Sequence, residues 1–308
     1  MDRPVKILIV VKTYPNPSRS YGETVCCAGI DLETGRWVRV YPITFRRLAD
    51  QFAKYQIIEC NVSKPRSGDS RPESLRADQD SIRLVGSPLP AGNRGWARRM
   101  AYLPAPAQSL EEVRAAQVVD GTSLAMIRPK AIHGLVIERA EPWTDKQKAH
   151  LQQLHLDIGD AASHELRELE QIPFTFSYRF TCDDERCASP HKLQIIDWEI
   201  AESYRTWSKT YSDRWEEAIR QRYERALPER DLHLVVGNIA RHPQAFVIIG
   251  LVRPPRPKVD GEHVQQTLDL MSQQRSVAGV GVGLKAEEAD SLAGDEGNEA
   301  LELFPDEL

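Results

Sequence analysis

The sequence predicts an α+β protein with three parts: an amino-terminal antiparallel β domain, a carboxy-terminal unit of strand, Cys/His loop, long helix and hairpin, and a disordered acidic tail. Three observations predict it. Short apolar or alternating runs bounded by turn residues dominate the first 62 residues. One apolar stripe with steps of three and four runs from Ile196 to Tyr223. Beyond Arg253 the chain turns Pro-rich, then acidic and poor in apolar residues. On this reading residues 1–140 form a basic β-rich domain, 141–253 an α+β unit, and 254–308 the tail. No internal repeat is visible.

The elements follow in order. Val5–Val11 is a buried strand. Thr24–Ile30 and Trp37–Ile43 flank the turn Asp31–Gly35 as a hairpin. Tyr55–Val62 alternates as a further strand, and residues 64–108, rich in Pro, Gly, Ser and Arg, read as loop-heavy. Leu110–Gln117 is a short helix, Ile132–Glu138 a strand, and Thr144–Leu156 a helix with Thr144 as its cap. Phe174–Thr181 is an aromatic strand. A long helix is expected from about Gln194 to Ala226, stopped by Pro228. Leu232–Val236 and Phe246–Val252 form the closing hairpin.

The net charge of −5 hides an asymmetry: residues 1–140 hold 21 Lys and Arg against 14 Asp and Glu, while the tail is acidic. A basic half attracts a polyanion through counterion release. Strand alternation puts Trp37, Arg39 and Tyr41 on one face, and Lys12, Arg36, Arg46 and Arg47 lie nearby in sequence. Rings that stack on bases and cations that hold phosphates make these seven residues the expected nucleic-acid-binding set. The expected function is therefore nucleic-acid binding in a DNA or RNA transaction. The longest apolar runs, Ile7–Val11 and Phe246–Val252, are too short to cross a bilayer. Five cysteines give no disulfide framework, so the cytoplasm is the expected compartment.

Potential chemistry concentrates in Cys182–His191, spaced C-x4-C-x3-H. Thiolate and imidazole are the usual donors to zinc, so Cys182, Cys187 and His191 are expected to hold a structural zinc. The fourth ligand is open among Asp183, Asp184, His164, Cys60 and water. An alternative is a metal-dependent nuclease or hydrolase in which His191 works beside Asp183 or Asp197. A third is a protein–protein adaptor. Asp197 and Glu199 point about 200° apart on a helix, so there they cannot share an ion and serve the helix macrodipole. Walker, G-x-G-x-x-G, G-x-S-x-G and H-E-x-x-H motifs are missing, which disfavours nucleotide hydrolysis, dinucleotide redox chemistry and serine hydrolysis.

Two apolar islands interrupt the tail, Gln265–Met271 and Glu299–Phe304. The first, QQTLDLM, offers Gln266, Leu268, Leu270 and Met271. It resembles the glutamine-led, leucine-containing peptides that dock on bacterial and archaeal sliding clamps, with Met271 where an aromatic is usual. The resemblance implies a clamp-type protein partner bound by a peptide that folds on docking.

Overall fold

β1 (Arg3–Lys12) is buried without a break from Ile7 to Val11, so both of its faces are covered. That is why the sequence shows a continuous apolar run there rather than alternation. The computed structural model describes residues 3–18, 22–44, 52–65, 69–145 and 170–256. Arg46, Arg47, His164, the body of the helix expected over Thr144–Leu156, and the tail peptide with Gln266, Leu268, Leu270 and Met271 lie outside these residues.

β1 pairs antiparallel with β3 (Gly22–Asp31) and with β5 (Ile57–Ser63). β3 pairs with β4 (Trp37–Thr44), which runs parallel to β6 (Ser74–Ala77). β6 returns to β5 and closes a five-strand ring. β2 (Asn16–Ser18) extends β3, and β7 (Arg83–Val85) extends β5. Helix α1 covers Asn93–Tyr102. The segment expected to be loop-heavy over 64–108 thus also holds two short strands and a helix. The strands, of four and three residues, are too short for a period to show.

A six-strand sheet follows, in the order β8 (Leu124–Ile127), β12 (His233–Ile239), β13 (His242–Val252), β11 (His191–Ile195), β10 (Phe174–Thr181), β9 (Ala131–Arg139). Its two edges, β8 and β9, are joined by residues 128–130 alone. A flat sheet would part them by about 24 Å, five inter-strand spacings. The link from Ile127 to Ala131 spans at most about 14 Å. The sheet must therefore curl until its edges meet, with β8 and β9 acting as one broken strand. The boundary expected near residue 140 falls inside this sheet, because both strands precede it.

Counted that way, both units have one strand order: first, second, third, fifth, fourth, and back to the first. In both, the third and fifth strands are parallel, β4 with β6 and β11 with β13. All other ring pairs are antiparallel. This is the Greek-key order of an OB barrel. The chain is α+β, with two such barrels in tandem and no sequence repeat to announce them.

Helix α2 (Leu110–Asp120) precedes β8. Between the third and fourth strands of the second barrel come α3 (Trp198–Tyr211), a turn at Ser212–Arg214, α4 (Trp215–Ile219) and a π-helical segment, Arg220–Ala226. The long helix expected from Gln194 starts later, because Gln194 and Ile195 complete β11 and Asp197 caps α3 by accepting from the Glu199 backbone N–H. It also breaks at Ser212, whose φ is 49°. The apolar stripe continues past the break, so periodicity alone conceals it.

Val38, Val40, Ile7 and Ile9 fill the first barrel. Its outer residues Leu8, Val10, Ala28 and Trp37 pack on Leu124, Met126, Val235 and Ile249 of the second. Contact is close enough that a Cβ on Gly250 would stand 2.7 Å from Val11 Cγ2. Among the described residues no helix is long and apolar enough to cross a membrane.

Candidate metal centre and nucleic-acid interface

The tight β10–β11 connection brings Cys182, Cys187 and His191 together, as their spacing predicts. Glu111, in the first turn of α2, completes the set, and the four donor atoms lie within 4.8 Å of one another. His191 Nε2 is 3.3 Å from Cys187 Sγ and 3.1 Å from Glu111 Oε1. Around a zinc ion, bonds of about 2.0–2.3 Å give tetrahedron edges of roughly 3.3–3.8 Å. Glu111 Oε2 is buried and has no hydrogen-bond partner, an orphaned acceptor that a cation would satisfy. Burial pushes the Cys182 thiol up to about 12, against a Leu110 backbone hydrogen bond that favours the thiolate. The cluster can therefore hold a metal ion, which would drive the thiols to their anionic form.

The loop is moored to α2 independently of any ion. Ser109 caps the helix by accepting from the Glu112 N–H at 3.0 Å, and its hydroxyl donates to Asp184. Gln108 donates to the Asp183 carbonyl. Asp184 is paired with Arg186 and Asp183 with Lys130, so neither is the fourth ligand. Cys60 is a core residue of the first barrel. Glu111 lies far upstream in the chain, and a lone Glu in a helix's first turn is too common to single out. The one signal was its place in an Ser109-x-x-Glu112 capping pattern whose helix faces the loop.

His191 and Asp197 do not come together. His191 opens β11, and Asp197 follows its other end, some 17–20 Å along an extended strand. Asp197 is fully buried and its oxygens are engaged: Lys54 Nζ at 3.0 Å, the Leu251 N–H at 2.9 Å and the Glu199 N–H at 2.9 Å. Glu199 accepts from the same Lys54 at 3.0 Å and pairs with Arg253. Because Asp197 precedes the helix, both carboxylates converge on one ammonium rather than on an ion. Burial opposes charge on Lys54, but Asp197 and Glu199 outweigh it and raise its pKa. Burial likewise opposes charge on Glu199, and Arg253 and Lys54 outweigh it and lower its pKa. This network joins the two barrels.

The described members of the expected basic set do not form one surface. Trp37 and Arg39 do share a face with the alternation predicted, but it is the face that the second barrel covers. Arg39, 4% exposed, donates to the Ser123 carbonyl at 3.2 Å and to Cys26 Sγ at 3.6 Å. Lys12 donates to the Phe52 carbonyl, and burial lowers its pKa. Tyr41 is half-buried, and Arg36 is exposed in the turn before β4. OB barrels bind oligonucleotides on the outer face of strands two and three. In the first barrel Ala28, Ile30, Trp37 and Arg39 of that face are buried. In the second it is formed by β10 and β11, where Arg179 and Lys192 are cross-strand neighbours, both exposed, with Gln194 exposed beside them. Lys192 also pairs with exposed Glu138 at 2.8 Å.

Residues 106–274, the second barrel with its helices, match the model of a family described as "Domain of unknown function (DUF8757)". The chain belongs to that family. Residues 3–105 of this DUF8757 protein match a second model, "Domain of unknown function (DUF8758)". The two matches meet between α1 and α2. Among curated proteins none matches. One solved structure it is similar to is described as a replication protein A heterotrimer bound to ssDNA. Identity is 9% and the TM-score 0.32, covering 90% of this chain and 53% of that one. The chain thus spans about half the length of that protein. A likeness at that level supports nothing by itself, and the fold assignment stands on the strand order.

Proposed function

We propose that this DUF8757 protein binds single-stranded nucleic acid on the outer β10–β11 face of its second barrel, with a structural zinc on Glu111, Cys182, Cys187 and His191. The observation that carries the reading is the exposed Arg179–Lys192 pair on the one strand-two/strand-three face that the barrel joint leaves open. Two cations side by side suit the phosphates of a strand crossing the sheet. The exposed Glu138–Lys192 pair is a weak competitor, since surface ion pairs contribute little. The zinc reading rests on two thiols, an imidazole and a carboxylate whose donor atoms gather within 4.8 Å of one another. Its role is to hold the β10–β11 turn against α2 and so stiffen the binding strands.

The test is fluorescence anisotropy of the full chain with labelled single-stranded DNA and RNA at low salt. The Arg179→Glu/Lys192→Glu variant is expected to lose at least tenfold in affinity and to flatten the log–log salt slope by about two. An unchanged affinity in that variant, or no binding by the wild type, overturns the proposal. Elemental analysis should find one zinc per chain, lost in Cys187→Ser, and a metal-free wild type overturns the zinc reading.

A further inference from the structure

Where the open face of the second barrel ends, a cavity of about 250 Å³ lies between the start of β10, the end of β11 and the loop before β10. Thr175 and Gln194 belong both to this cavity and to the outer β10–β11 face, so face and cavity are continuous. Trp143, Tyr14 and Phe174 line it, over a floor that includes Ile172 and Ile195. We propose that this cavity takes one nucleobase of a bound single strand, with Trp143 as its stacking wall. The proposal rests on the binding face argued above and names what that face recognises.

Four features point to a base rather than another ligand. The volume falls below the roughly 300–1,000 Å³ of typical small-molecule sites, which suits one planar ring system. The charged groups at the cavity are carboxylates. Asp197 has its oxygens committed to Lys54 and backbone N–H groups, and exposed Glu141 at the rim repels phosphate. The available polar groups are the Gln194 amide and the Thr175 hydroxyl, which can donate to and accept from a base edge. The loop that carries the ring is also held in advance. Gln171 accepts from the Trp143 backbone N–H at 3.0 Å and donates to the Glu141 carbonyl at 2.7 Å, clamping the loop that carries Trp143.

Tyr14 comes from the first barrel. Its backbone N–H donates to the Ile196 carbonyl at 2.8 Å and its hydroxyl to the Glu170 carbonyl at 2.8 Å. The site is therefore complete only in the joined chain. Phosphates would lie outside it, toward Arg179 four residues along β10, about 13 Å away.

The experiment compares the full chain's affinity for a labelled eight-nucleotide oligo-dT with its affinity for an abasic sugar-phosphate strand of equal length. The wild type is expected to prefer oligo-dT at least about fivefold, the lower end of one base–aromatic stack. Trp143→Ala should erase the preference without changing affinity for the abasic strand, and Trp143→Phe should restore it. Arg179→Glu should weaken both strands alike. Equal wild-type affinity for the two strands, or a preference that survives in Trp143→Ala, overturns this proposal and leaves the binding face standing. Binding of neither strand overturns both. Should Trp143→Ala fail to fold, Gln194→Ala decides. A shift of at least about threefold in preference among oligo-dT, oligo-dA and oligo-dC supports the cavity, and no shift overturns it.

Discussion

Replacing Lys54 by Met removes the cation that holds two carboxylates of the second barrel from the first. The ammonium sits 3.0 Å from Asp197 Oδ2 and 3.0 Å from Glu199 Oε1, and these side chains are 12%, 0% and 25% exposed. At an effective dielectric of about 20, each contact contributes about 5–6 kcal/mol of attraction. Removing the ammonium from water costs several kcal/mol in return. The difference falls in the range of about 3–5 kcal/mol found on breaking buried pairs. Asp197 keeps its two backbone N–H donors and Glu199 keeps Arg253, which points to the lower end, about 3 kcal/mol. Urea denaturation at neutral pH, followed by tryptophan fluorescence, measures it. Lys54→Met/Glu199→Gln should cost less than the sum of its single variants, since the partners share one network. The sign with pH is fixed as well. Lys54 has a raised folded pKa, so its contribution is complete below about 10.4 and fades as pH rises through the folded value. The Met variant should therefore flatten the alkaline limb of the stability curve. A loss under about 1 kcal/mol, with an unchanged alkaline limb, would refute the reasoning.

Two further outcomes follow from the geometry. Glu111→Ala should leave the chain folded but weaken zinc retention against a chelator at least tenfold, and retention equal to wild type would remove Glu111 from the ligand set. Gly250→Ala places a Cβ 2.7 Å from Val11 Cγ2 across the barrel joint and should cost about 1–3 kcal/mol by overpacking, read as a lowered urea midpoint.

Much of the local structure was legible before any tertiary contact. Phe174–Thr181 is a strand with the bounds its aromatic alternation predicts. Val38 and Val40 point into a core while Trp37 and Arg39 point away from it, as a period of two requires. Cys182, Cys187 and His191 converge as their spacing implies. All of these are short-range consequences of backbone geometry, which sets where each side chain points relative to its neighbours.

What faces a side chain is a different matter. Nothing local distinguishes a Trp and an Arg that meet a polyanion from a Trp and an Arg sealed under a second barrel. One terminal nitrogen of Arg39 ends on the Ser123 carbonyl, and that depends on how two sheets dock. Glu111 joins the thiols only because α2 lies against the β10–β11 turn. The repeated strand order needs long-range pairings such as β1 with β5 and β8 with β12, between segments of unrelated sequence. The amino-acid order by itself determined the longer strands, their inward and outward faces, and the approach of Cys182, Cys187 and His191. Only the tertiary structure decided which of the described faces stays open and which acid completes the cluster. Periodicity encodes direction along one element, whereas burial depends on the element packed against it.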